Sequence, residues 1–293
     1  MGTKEFKTIA EQIELLKSRG LQITDEPLAE EFLRNTNYYR VSGYSLTLRN
    51  HDVFYESASF QNIVDIYRFD HELRHVLLKY IEQIEVRIKS IYAYEFARMY
   101  GSLEYMNSSH FTDPLEYVGI MAKANDQKTR SLQHEAFVQH YVIDLQEDMP
   151  IWAYIELFTL GDISKLYHIS LPELKTVIAN QFGLHVNMGP VILGEYLYSM
   201  TTIRNFCAHG NRLFNRLFIR KPSLNSKEKG LLIKSDDGTI DNSHLYGFVI
   251  MMRRLIDHTS FEEMKAEVIA LHKKYPFVSM RYYGFRDDWE QLL

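Results

Sequence analysis

The chain has a single cysteine, Cys207, so an internal disulfide and a cysteine-rich metal cage are both excluded. No continuously apolar stretch approaches 18 residues, and the N-terminal MGTKEFKTIAEQIELL lacks the apolar core of a signal peptide. Also missing are a nucleophile elbow for Ser-His-Asp hydrolysis, a glycine-rich phosphate loop, internal repeats and Gly/Ser linkers. Positive charge is not in excess: the net charge is -5, so the protein is no general coat for polyanions and any nucleic-acid contact must be local. These absences lead to the expectation of a soluble, cytoplasmic protein with no cofactor, no metal, no membrane partner and no DNA partner.

What is present is an ordinary globular composition, 46% hydrophobic and 24% charged over 293 residues, enough for one large core or two small ones. The 20 Tyr and 17 Phe are expected mainly at helix interfaces rather than stacked on bases. Helical periodicity dominates. Ile9, Ile13 and Leu16 give a first helix ending at Gly20, and Asp25 with Pro27 opens a second. NYYRVSGYSLTLR, from Asn37 to Arg49, reads as extended or turn-like. From Ser59 an apolar period runs to Gly101, as one long helix or two with a kink. Its His71, Glu72 and His75 are expected on a solvated face rather than around a metal. Helices follow over His134 to Leu145, from Pro150, and from Pro172 to Phe182. They continue from Leu245 to Asp257 and from Phe261 to Lys274, the last with a capping box from Ser260 and Glu263. Asp237-Gly238 leaves room for a small β-hairpin near 230–241. The organisation expected is an N-terminal segment 1–58, a helical core 59–221 and a C-terminal part 222–293, packed as one compact unit.

The most informative stretch is Thr201 to Lys221, TTIRNFCAHGNRLFNRLFIRK. Placed on one helix, Asn205, His209, Arg212, Arg216 and Arg220 fall within about an 80° stripe, opposite a broad apolar face. Tyr196 to Lys227 contains six Lys or Arg and no Asp or Glu. Such a stripe in an acidic protein points to an anion site. Arg204, Asn205 and His209 supply what metal-free cleavage of an RNA phosphodiester requires. An imidazole can take a proton from the 2′-hydroxyl or give one to the leaving 5′-oxygen, and a guanidinium can hold the phosphate. Arg212, Asn215, Arg216, Arg220 and Lys221 are the candidate RNA-binding residues. One histidine is a thin inventory for both acid and base, so a homodimer with a composite site is expected. The bland alternative pairs these arginines with carboxylates of a neighbouring helix. Spacing alone does not decide, because Arg253 and His258 repeat it. Cys207, on the apolar side, is expected to be a buried, inert thiol.

RNFCAHGNRLFNR, Arg204 to Arg216, resembles the signature of the bacterial Abi-like (AbiD/AbiF-type) abortive-infection proteins of the HEPN superfamily. NYYRVSGY, YRFDHELR, IEQIEVRIKS, MPIWAYIELFTLGDISKLY and the closing GFRDDW are similar to that family's other blocks, in the same order. The resemblance implies an all-α HEPN-type bundle with N- and C-terminal helical additions. It also implies a metal-independent endoribonuclease of the antiphage or toxin kind, Arg204, Asn205 and His209 as motif residues, and an association with a structured noncoding RNA. A catalytically silent RNA-binding module is the alternative, and a protein-interaction scaffold a third. Family members often carry a second histidine directly after the motif histidine; Gly210 stands there. Arg40, Arg68, Asp70 and Arg74 of the first two blocks are expected to be buried ion-pair scaffolding.

Overall fold

A computed structural model describes residues 5–234 and 237–292, and they form an all-α protein. Helices α1 (Ile9–Ser18) and α2 (Glu26–Thr36) begin where the sequence places them. Thr8 and Asp25 accept the backbone N–H groups of Glu11 and Leu28. The segment read as extended is instead mostly helix α3 (Tyr38–Tyr44). Asn37 caps it, accepting from the Arg40 N–H, and Val41 and Tyr44 bury one face, so a cap and tertiary packing override a β-rich composition. A two-residue hairpin follows, β1 (Arg49–Asn50) against β2 (Val53–Phe54). Near 230–241 the strand pairing is one antiparallel bridge between Lys234 and Ile240; Ser235 and Asp236 lie outside the described residues.

Helix α4 (Phe60–Tyr100) is one unbroken helix of 41 residues, started by the Ser59–Asn62 capping box and stopped at Gly101. At 1.5 Å per residue it spans about 60 Å, the axle on which the rest packs. Then come α5 (Pro114–Ser131), α6 (Ala136–Gln139) running into a π-type turn over His140–Leu145, and α7 (Ile151–Tyr154). Next are α8 (Leu160–Ile169), α9 (Pro172–Gln181) and α10 (Gly189–Ala208). The C-terminal part holds α11 (Ser226–Lys229), α12 (Leu245–Leu255), α13 (His258–Lys274) and α14 (Trp289–Leu292). Helix α13 starts at His258, three residues before the expected Phe261, because Asp257 caps it, accepting the Ser260 N–H at 3.0 Å.

Helix α10 lies against α4, α8, α9 and α12, so the stretch of greatest chemical interest is anchored on the molecule's centre. Aromatic rings fill these seams, as expected: Tyr44, Tyr80, Tyr92, Tyr167, Tyr246 and Tyr283 are all fully buried. Among the described residues no helix is long and apolar enough to cross a membrane, and no His, Cys, Asp and Glu residues group as a metal site. His71 and His75 stand on the exposed face of α4.

Candidate active site

Helix α10 does not run to Lys221. It ends at Ala208, with His209 as its C-cap and Gly210 in the left-handed conformation at φ +64. The Gly210 N–H donates to the Cys207 carbonyl at 3.1 Å and the Asn211 N–H to the Phe206 carbonyl at 2.9 Å, a Schellman ending. The continuous helical stripe is therefore corrected: a glycine at this position stops the helix more strongly than apolar periodicity extends it. The same geometry accounts for glycine where family patterns have a second histidine, since a side chain with a Cβ is strained at this φ.

Beyond Gly210 the chain turns back along α10, and this return restores the cations to the helix by another route. The Arg216 guanidinium lies 4.9 Å from the centre of the Phe206 ring, and that of Arg220 lies 4.7 Å from the centre of the Tyr198 ring. Phe206 and Tyr198 are both on α10. Arg204 makes one polar contact, to the Asn205 side-chain oxygen at 3.4 Å, and the exposed imidazole of His209 makes none among the described residues. Among the described residues, Arg204, Arg216, Arg220 and Lys221 likewise meet no carboxylate within ion-pair distance. The bland alternative of pairing with a neighbouring helix fails for these four.

Arg212 is different. Half-buried, it donates to the Phe214 carbonyl and, at 3.3 Å, to that of Asn215, so it ties the loop rather than facing solvent with Arg216 and Arg220. It passes so close to α3 that a Cβ on Gly43 would stand 3.4 Å from its Nε. Asn215 occupies a left-handed turn position at φ +48 and donates its N–H to the Tyr282 carbonyl at 3.0 Å.

The blocks YYRVSGY and YRFDHELR converge on this loop. Arg40 donates to the Gly210 carbonyl at 2.7 Å, and Arg74 to that of Asn211 at 3.3 Å. Asp70, fully buried, accepts the N–H groups of Leu213 at 3.2 Å and Phe214 at 2.8 Å. It also accepts the hydroxyls of Tyr44 at 2.7 Å and Tyr283 at 3.0 Å, and forms a buried ion pair with Arg74. Burial penalises the Arg74 charge, but the adjoining Asp70 carboxylate and Tyr44 hydroxyl together offset this and hold its pKa above the ordinary value. Asp70 and Arg74 are thus the scaffold the sequence leads one to expect, whereas Arg68 is exposed and takes no part. The block from Met149 to Tyr167 buttresses α10 directly: the Tyr167 hydroxyl donates to the Pro190 carbonyl at 3.0 Å.

Cys207 packs beneath this end of α10 at 4% exposure, and burial pushes its thiol up to about 12. A pKa raised above the ordinary 9.0 stabilises the fold fully below pH 9 and loses that contribution as the pH climbs toward 12. The native protein should therefore resist iodoacetamide at pH 8 and react fully once unfolded in guanidinium. Rapid native labelling would contradict a buried, inert thiol.

On the other side of α10, Arg204 and Asn205 line a groove of about 560 Å³ between α5, α8 and α10, which Lys123, Asp162, Lys165 and Tyr198 also border. No sequence period marks the α5 and α8 residues of this groove, so they were not among the expected site residues. Chemically, the end of α10 offers an unpaired guanidinium, an amide and a free imidazole, flanked by two more cations held on rings.

The family model for Abi-like proteins matches residues 31–215, from α2 through the loop held by Asp70. No curated protein and no solved structure matches the chain.

Proposed function

The chain belongs to the Abi-like protein family, a group whose name denotes abortive infection and hence defence, and from that premise we propose that it is a metal-independent endoribonuclease of the HEPN type. The observation that carries this reading is that Arg204 and His209, five residues apart at the end of α10, have no carboxylate partner among the described residues, whereas Arg40 is tied to the Gly210 carbonyl and Arg74 to Asp70. Arg204 holds the scissile phosphate and stabilises the charge that builds on it. Asn205, next to Arg204 in the groove, orients the guanidinium or the phosphate oxygens. His209 moves the protons.

The ribose 2′-hydroxyl gives up its proton as its oxygen bonds to phosphorus. The bond from phosphorus to the 5′-oxygen breaks, and that oxygen receives a proton. The products are a 2′,3′-cyclic phosphate and a 5′-hydroxyl. Two transfers need two proton carriers, and each chain contributes one exposed motif histidine, so the active form we propose is a homodimer with the two α10 ends facing each other. Incubating RNA with the purified protein in EDTA and analysing the product ends tests this reading. Cyclic-phosphate and 5′-hydroxyl ends are expected, whereas 3′-hydroxyl ends or a requirement for a divalent metal would overturn it.

A second reading is a catalytically silent module that holds RNA, a structured noncoding RNA included, on the Arg216 and Arg220 strip. It is favoured by the fixing of both cations on aromatic rings, an arrangement suited to tracking a strand. Both readings predict that the pair Arg216→Ala and Arg220→Ala lowers the slope of log affinity against log salt by about 2. An unchanged slope, measured by fluorescence anisotropy, would remove the strip from the RNA path. Only the nuclease reading predicts cut RNA.

A further inference from the structure

The groove beside Arg204 has two walls of different character. On α10, Tyr198 is 49% exposed with the Arg220 guanidinium over its ring, a ready-made stack that a base can extend. Across from it are two ion pairs. In one, Lys123 donates to Asp162 at 2.7 Å, and the other Asp162 oxygen accepts the Thr159 N–H at 2.9 Å and the Thr159 hydroxyl at 2.6 Å. That carboxylate accepts on both oxygens and caps the start of α8. In the other, Lys165 and Glu116 stand 3.7 Å apart, beyond hydrogen-bonding distance, with side chains 63% and 32% exposed. Its donor and its acceptor are both still free, and both face the groove.

We propose that this groove is a subsite for the base next to the scissile phosphate, and that Glu116 and Lys165 read its edge and select guanine. The proposal rests on the nuclease reading for its phosphate position and extends it to substrate choice. A volume of about 560 Å³ lies within the range of sites that enclose small molecules, so an unpaired nucleotide fits where a duplex does not. Between them the two side chains offer an ammonium, which needs an acceptor, and a carboxylate, which needs donors. The edge of guanine places the O6 acceptor next to two donors, N1–H and N2–H, and so satisfies Lys165 and both oxygens of Glu116. Adenine lacks O6, and uracil and cytosine each give the carboxylate a single donor group. Base choice is then made at α5 and α8, away from the residues that move protons.

The test uses oligouridylates carrying one central G, A or C, with the cleavage rate beside each base read on a gel for the wild type, Glu116→Gln and Tyr198→Ala. Wild type should cut beside G about 5- to 150-fold faster than beside A, the span expected of one good bidentate base contact. Glu116→Gln, which replaces one acceptor oxygen by a donor, should bring that ratio below about threefold. Tyr198→Ala should slow cleavage beside every base and leave the ratio intact. Equal wild-type cutting beside all four bases, or an unchanged ratio in Glu116→Gln, would overturn the subsite while leaving the nuclease in place. If no RNA is cut the nuclease reading falls, and anisotropy with the same oligonucleotides then decides the subsite. A preference for G that Glu116→Gln abolishes supports it, and equal affinities overturn it.

Discussion

Asp70→Ala is expected to lower the stability of the protein by about 3–5 kcal/mol, the cost of leaving one charge of a buried pair without its partner. Arg74 would remain almost wholly buried with no anion. The N–H groups of Leu213 and Phe214 and the hydroxyls of Tyr44 and Tyr283 would lose their acceptor at the same time. For a simple buried ion pair, apolar replacement of both members is often neutral. Here Asp70→Leu with Arg74→Met should not rescue stability, because those four donors still lack an acceptor. Urea unfolding followed by circular dichroism gives the difference. A loss below about 1 kcal/mol would mean that the loop after α10 is not held by this cluster.

Arg204→Ala is expected to slow RNA cleavage about 10²- to 10³-fold with little change in stability, the loss typical of one group that stabilises transition-state charge. The two predictions separate because the two arginines sit in opposite surroundings. Arg74 is enclosed by Asp70 and Tyr44, while Arg204 touches Asn205 and the open groove. Single-turnover rates and a melting curve on the same preparation are the measurements. A melting temperature that falls along with the rate would mark Arg204 as scaffold.

Much of the fold was legible in the sequence because its signals are local. Asp25 and Ser59 cap the helices their side chains suggest, and the apolar period from Phe60 onward forms one helix. The failures share a cause. Asn37 to Tyr44 has the composition of a strand, yet it is helical because Asn37 caps it and the core takes Val41 and Tyr44. Arg212 to Arg220 has the period of a helix, yet the chain reverses at Gly210 and sends Arg212 inward to the Phe214 carbonyl. The signal for that reversal, glycine just after the last helical turn, was in the sequence but was outweighed by periodicity.

The candidate site was half legible. Arg204, Asn205 and His209 are set on the last turn and C-cap of α10, and that placement follows from local spacing. The convergence of YYRVSGY and YRFDHELR on the 210–215 loop did not follow from it. Asp70 lies 143 residues from Leu213, and no periodicity reports a contact of that range. The groove wall on α5 and α8 was hidden for the same reason.

The most direct test of the central claim compares RNA cleavage by wild type and His209→Ala in EDTA, with a melting curve on each protein. Because the His209 imidazole is exposed and without a partner among the described residues, the variant should keep the wild-type melting temperature. Its cleavage should fall about 10²- to 10⁴-fold, the usual contribution of a general acid or base. Cleavage by His209→Ala at the wild-type rate would contradict the assignment of the end of α10 as an RNA-cleaving site.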